Sequence, residues 1–402
     1  MLIRIALLAL AAVTLAQAQS LAPIKVGVSG PFTGGSSPMG LSMRDAVRLA
    51  TKEINEIGGV EGRLLELVER DDQADPELGV KVSRELVEKE KVVATLGFIN
   101  TGVALAAQKV YQDARIPVIN NVSTGAIITR QFVPPKHPHN YVFRNSAGDL
   151  IQAEMIVADT VDRRRLTKVA IFHDTTPYGQ QGREMLEKFL AQRNLKAVTV
   201  ESFNIGDRDM KAQLARARAA GAQILLTYGI GPELAALAND RAAMGWKVPI
   251  TGSWTLSLAN FIDAAGRNAD GARMPQTFIE EANNLRRTAF IIAYHRSYGV
   301  KRMASAVSAA QGYDSVWLLY AALRQAKSTE GEKLREALED LHKPIYGVIT
   351  SYHQPFNAKD HEAITLNMPV MGEVRGGRIV YAYDEDERKS LLERKKLAAD
   401  KN

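Results

Sequence analysis

Two short segments carry the residue types that could recognise an organic anion. Gly97-Phe98-Ile99-Asn100-Thr101-Gly102 follows the apolar run Val92 to Leu96, and Asn120-Asn121-Val122-Ser123-Thr124-Gly125 follows Ile116 to Ile119. Each ends in hydroxyl side chains and glycine. Glycine lets backbone N–H groups approach a ligand closely and short hydroxyls add donors, so Asn100, Thr101, Gly102, Ser123 and Thr124 could converge on a carboxylate. The same residue types cap helices by accepting from the first free amides, and the pattern alone leaves both roles open.

Arrangements that covalent or metal chemistry requires are missing from the sequence. There is no G-x-S-x-G elbow, no P-loop lysine motif, no G-x-G-x-x-G after the first apolar strand and no H-E-x-x-H. His137 and His139 sit in a Pro-flanked loop with no third ligand close by, and His353 and His361 fare no better. His173-Asp174 could be read as an acid-base pair, but adjacent residues at a strand end point to opposite faces. Neither an enzyme, nor a metal site, nor a cofactor is expected.

The elements that must position the two loops are legible from periodicity. Ile24, Val26 and Val28 alternate as in a half-buried strand, and Met43, Ala46, Val47, Ala50, Ile54 and Ile57 then recur at helical steps up to a glycine stop at Gly58-Gly59. The alternation continues as strand 64–68, helix 76–88, strand 92–96, helix 101–112 and strand 116–119. A second series of strands and helices runs over 168–251, and helical periods return at 282–296 and 304–326. The final stretch, 390–402, reads as a short charged helix or a frayed tail. Alternating strands and helices imply right-handed crossovers and doubly wound parallel sheets, with ligands outside the carboxyl ends of the strands. The fold class expected is α/β, with two such lobes.

The chain has 402 residues, enough for two ordinary domains, with 46% apolar and 24% charged residues, the balance of a globular protein. Its formal charge of +6 arises from 51 basic and 45 acidic residues spread along the chain. The densest basic run, Arg163 to Arg165, lacks interleaved aromatics, so no nucleic-acid partner is expected. Arg4, the apolar run Ile5 to Ala16 broken by Thr14, and Ala16-Gln17-Ala18 read as a secretory leader over 1–18, with the mature chain starting near Gln19. The run is too short to span a bilayer, which needs about 20 residues. With no cysteine there is neither a lipobox nor a disulfide.

A set of motifs in order carries a more specific likeness: Ile24-Lys25-Val26-Gly27-Val28 then Gly30-Pro31-Phe32-Thr33-Gly34, Gly58-Gly59-Val60-Glu61-Gly62, and Asp71-Asp72-Gln73-Ala74-Asp75-Pro76. Ile116-Pro117-Val118-Ile119, Tyr141-Val142-Phe143-Arg144, Tyr178-Gly179 and Gly312-Tyr313-Asp314-Ser315-Val316 follow. On these the chain resembles the type I periplasmic binding proteins of the leucine, isoleucine and valine binding family, over nearly all of the segment after the leader.

The resemblance implies two lobes joined by a three-strand hinge, with lobe 1 formed by 19–143 plus 274–346 and lobe 2 by 144–273 plus 347–402. It implies a periplasmic monomer that closes over a small-molecule ligand and delivers it to ABC permease subunits in the inner membrane. The family's ligand-carboxylate contacts fall on the loops holding Phe98 to Gly102 and Ser123 to Thr124. It also places Met39 in the first cleft loop and Tyr178 and Tyr228 on the second lobe, where thioether and aromatic groups would clamp an apolar part. Amino-acid binders of this family carry an acid, paired with the ligand ammonium, at the position that aligns with Trp254. An uncharged indole there points to an organic carboxylate without an amine, aromatic or branched aliphatic, because a buried ammonium without a counter-charge is costly. A branched-chain amino acid is the alternative ligand, and a ligand-sensing receptor module the alternative role. No DNA-binding helix-turn-helix and no membrane helix flanks the lobes, which favours delivery over sensing.

Overall fold

A computed structural model describes residues 21–397. The leader reading falls outside these residues, as does the end of the charged tail. Five parallel strands form the first sheet: β1 (Ile24–Gly30), β2 (Leu65–Asp71), β3 (Ala94–Gly97), β4 (Val118–Asn120) and β5 (Val142–Arg144), in the order β2-β1-β3-β4-β5. Between them run α1 (Ser37–Glu56), α2 (Pro76–Arg84) and α3 (Thr101–Ala114). The strand β1 shows why both faces need cover. Ile24, Val26 and Val28 belong to the large apolar core that also holds Met43 and Val47 of α1, while Gly27 faces Thr95 and Leu86. Parallel sheets covered by helices on both sides follow from that double burial.

The second sheet repeats the order. After α4 (Asp149–Val157) come β6 (Val169–Asp174), α5 (Pro177–Ala191), β7 (Thr199–Phe203), α6 (Lys211–Ala219), β8 (Ile224–Tyr228), α7 (Glu233–Ala243), β9 (Ile250–Gly252), α8 (Ala259–Ala265) and β10 (Arg273–Gln276). These strands lie in the order β7-β6-β8-β9-β10, all parallel.

The chain then returns to the first lobe. There α9 (Leu285–Tyr298) and α10 (Ala306–Ala326) pack on α1, and α11 (Gly331–Glu339) packs on α10. The short pair β11 (Ile345–Tyr346) and β12 (Ser351–Tyr352) follows, and the chain passes back to the second sheet as β13 (Val370–Arg375) and β14 (Arg378–Tyr381). These two are antiparallel, so the second lobe is a copy of the first with a hairpin added at its edge. Gly376 and Gly377, at φ +56° and +75°, form the two-residue turn that such a hairpin requires. The charged helix expected over 390–402 lies upstream, as α12 (Asp384–Ser390), and residues 391–397 are irregular. Among the described residues no helix is long and apolar enough to cross a membrane.

Three segments cross between the lobes: one after Arg144, one after Gln276 and one before Val370. The first and third run side by side, with Arg144 N donating to His361 O at 2.9 Å and Ala363 N to Arg144 O at 2.8 Å. The Arg144 guanidinium, almost fully buried, reaches Glu362 through Nε at 2.7 Å and through a second nitrogen at 2.6 Å. A bidentate arginine–carboxylate pair of this kind fixes orientation as well as contact.

Candidate functional site

The two anion-type loops meet where the lobes touch. Thr101 Oγ1 accepts from Gly125 N at 3.2 Å, which ties the start of α3 to the loop after β4. Asn100 stands at the N-cap of α3 yet makes no capping bond; its Nδ2 donates to Ser36 Oγ at 3.2 Å and its Oδ1 is buried without a partner. Of the two roles the sequence left open, plain capping is not the one Asn100 plays, and α3 keeps its first-turn amides free of a side-chain acceptor. Such amides, with the positive end of the helix behind them, suit an anion.

The second lobe closes directly on this point. A Cβ on Gly102 would lie 3.4 Å from Cγ of Pro177, the first residue of α5, and one on Gly125 would lie 3.2 Å from Oε1 of Gln181. Asp149 N donates to Thr124 O at 2.8 Å, and Asn260 Nδ2 on α8 donates to Gly35 O at 3.3 Å. A Cβ at 102 would meet Pro177 at ordinary contact distance, whereas one at 125 would lie 2.4 Å from Cγ2 of Thr101 in its own lobe, so glycine at 125 is what lets the two loops pack together beneath Gln181.

Three of the expected second-lobe residues gather behind the contact. Tyr178 and Tyr228 pack with ring centroids 5.2 Å apart, and Gly182 gives their helix room, because a Cβ there would fall 2.0 Å from the Tyr228 ring. Trp254 opens a short 3-10 turn after β9, and its N donates to Gln152 Oε1 at 3.0 Å. Its Nε1 and the Tyr178 hydroxyl are buried and unpartnered. With Thr124, Ala147, Gln152, Gln276 and Gln311, Trp254 encloses a void of about 10 Å³ between the lobes, room for a single water. A small-molecule site needs some hundreds of Å³, so a ligand is admitted only when the lobes separate.

Other expected residues are placed differently. Phe98 is fully buried with Val103, Ala107, Tyr111 and Val142, in a cluster apart from the one holding Tyr178 and Trp254. Ser123 turns its hydroxyl to Asn120 Oδ1 at 2.8 Å and supports the loop from within. Met39 is buried in the first turn of α1, in the core of the first lobe.

Asp149 was not foreseen from the sequence. It is fully buried at the start of α4, accepts from the Tyr228 hydroxyl at 3.3 Å through Oδ1, and leaves Oδ2 unpartnered. Burial pushes its carboxyl up to about 6, opposed by the Thr124 and Tyr228 hydroxyls and the Arg144 charge. Gln181 Oε1 and Gln311 Oε1 are buried and unpartnered too. So many unmet polar atoms at one interface are unusual in a folded interior.

A concavity of about 900 Å³ lies elsewhere: an open groove between α9, α10 and residues 341–348. There Arg286 lies over the Tyr346 ring and the Tyr313 hydroxyl is bonded to Glu53. The lobe interface, where unpartnered polar atoms converge, is therefore the better site. Among the described residues no group of three or more potential ligands is placed to hold a metal ion.

A family model described as "Periplasmic binding protein" matches residues 23–376. The Leu/Ile/Val-binding protein homolog 1 of Brucella suis is 26% identical over 332 residues, covering 83% of this chain and 86% of the relative. A type 1 periplasmic binding protein structure from Bordetella pertussis superposes with a TM-score of 0.80 at 26% identity, covering 89% of this chain and 99% of that one. A solute-binding protein of an ABC transporter from R. palustris, in complex with benzoate, shares the fold with a TM-score of 0.75 at 21% identity, over 90% and 95% of the two chains.

Proposed function

The chain belongs to the periplasmic binding protein family, of the leucine, isoleucine and valine binding type, and on that premise we propose that it is the solute-binding component of an ABC importer, capturing a small organic carboxylate between its lobes. The observation that carries the reading is an uncapped helix start at Asn100 and Thr101 that meets Pro177 of α5 across the lobe contact, with Tyr178 and Tyr228 packed behind it and Trp254 lining the interlobe void with Thr124. The first lobe fixes the carboxylate through the α3 amides, Thr101 and Thr124. The second lobe swings in on the three crossing segments and covers the apolar body with its aromatic side chains. The closed shape is then what the permease subunits recognise, and no covalent step is needed.

Trp254 argues for an aromatic or branched aliphatic acid without an amine, since an indole supplies an apolar wall and one N–H donor but no counter-charge. The benzoate carried by the R. palustris protein is a ligand of this class. A branched-chain amino acid is the second reading, favoured by one observation: Asp149 is an acid beside Thr124 with an unpartnered oxygen. Native mass spectrometry of protein expressed with its leader and purified from a host periplasm tests the proposal. A retained small carboxylic acid, displaced by benzoate or a branched aliphatic acid, is expected; a retained leucine, isoleucine or valine that those acids do not displace would refute it.

A further inference from the structure

Asp149 sits where a second carboxyl group is hardest to accommodate. Its backbone N–H is bonded to Thr124 O, so it stands at the loop that would hold the ligand carboxylate. Two ionised carboxylates sharing a buried site repel strongly, and such pairs are stable when they share one proton. The groups around Asp149 do not remove the conflict. Arg144 on β5 is the nearest cation, but its guanidinium is spent on Glu362 and on Gly125 O, at 2.7 Å. Tyr228 on β8 donates to Oδ1, the Thr124 hydroxyl faces the same carboxyl as a neutral donor, and Tyr178 on α5 is a neutral phenol held far above its ordinary range by burial. Oδ2 is left buried with no partner, on the same interface as Trp254 Nε1 and the Tyr178 hydroxyl.

Resting on the carboxylate reading above, we propose that Asp149 takes part in capture as a protonated acid, its Oδ2–H donating to the ligand carboxylate, so that ligand and protein share one proton and capture strengthens in acid. No bond is made or broken beyond that hydrogen bond. In the acid range the proton is already on Asp149; above it, the proton is taken up from solvent as the ligand binds. The carboxyl, raised by burial to about 6 with the lobes closed, marks the changeover. Below it affinity is level, and above it affinity falls about tenfold per pH unit. Asp174 at the end of β6, whose carboxyl burial also raises to about 6, and His173, the register neighbour of Tyr228 on the same strand, whose imidazole burial lowers, are the other titratable groups nearby, so the slope must be assigned by mutation.

Benzoate is the probe, titrated calorimetrically between about pH 5.5 and pH 8, a range in which carboxylates of ordinary pKa stay ionised. The wild type is expected to weaken about fifty-fold from about pH 6 to about pH 8, and Asp149→Asn to change less than about twofold over the same range whatever its absolute affinity. Titrations at about pH 7 in two buffers of different ionisation heat give a readout free of any folding defect in the variant: uptake of close to one proton per benzoate is expected. A flat profile, no proton uptake, or an unchanged slope in Asp149→Asn overturns the proposal while leaving the carboxylate reading intact. Loss of benzoate binding in a folded Asp149→Asn at every pH also overturns it. Failure of every amine-free acid, with L-leucine binding that weakens below about pH 6, overturns both readings and makes Asp149 an ionised partner of an ammonium.

Discussion

At the scale of single residues, Asp314 anchors the turn between β11 and β12, ahead of the last crossing of the chain. Its carboxylate accepts from Val348 N at 2.7 Å, Ile349 N at 3.1 Å and the Tyr352 hydroxyl at 2.9 Å, and Gly347 makes room, since a Cβ there would lie 2.4 Å from Oδ2. Asp314→Asn keeps the shape but turns an NH2 towards a donor that then has no acceptor. A loss of about 1–3 kcal/mol is expected in urea denaturation; a change below about 0.5 kcal/mol would contradict this role. Asp314 was legible only as part of a motif, and the same limit applies in the cleft. The residue types at Thr101 and Thr124 could be read from sequence, but Ser123 and Phe98 could not be sorted from them. Side-chain direction in an irregular loop is set by contacts with Asn120 and Tyr111, which sequence spacing does not encode. Asp149 stayed hidden because the helix it begins, α4, left no readable period in the sequence.

At the scale of elements, the pairing of α1 with α10 shows how the first lobe is held together by segments far apart in sequence, as Met43 and Gly312 are. Gly312 sets their distance: a Cβ there would lie 2.7 Å from Met43 O and 3.1 Å from Met43 Cγ. Gly312→Val must push the helices apart, and overpacking of this kind costs about 1–3 kcal/mol. A melting temperature lowered by several degrees is expected, and an unchanged one would show that the contact yields freely. The strands and long helices were read from periodicity because each has one buried face. Helix α4 escaped for the opposite reason. Leu150, Ile151, Ala153, Ile156 and Val157 surround it with apolar residues, so no polar face marks its period. The hairpin β13–β14 escaped because a βα series predicts parallel neighbours, and an antiparallel edge strand leaves no signal in that pattern.

At the scale of the whole molecule, two lobes of the same strand order meet through a contact only wide enough for a single water at its centre. Fold class and lobe number followed from the repeated alternation, since few topologies satisfy right-handed crossovers with helices on both faces. The closure did not, because it depends on which residues the two lobes bring face to face, Gly102 against Pro177 and Gly125 against Gln181. The central claim is that the interface takes a carboxylate without an amine, and titration calorimetry of the intact mature protein at about pH 6 tests it, benzoate and a branched aliphatic acid being compared with L-leucine and L-valine. The account predicts that one of the amine-free acids binds at least about tenfold more tightly than either amino acid. Tight binding of leucine or valine, with no heat from any amine-free acid, would contradict it.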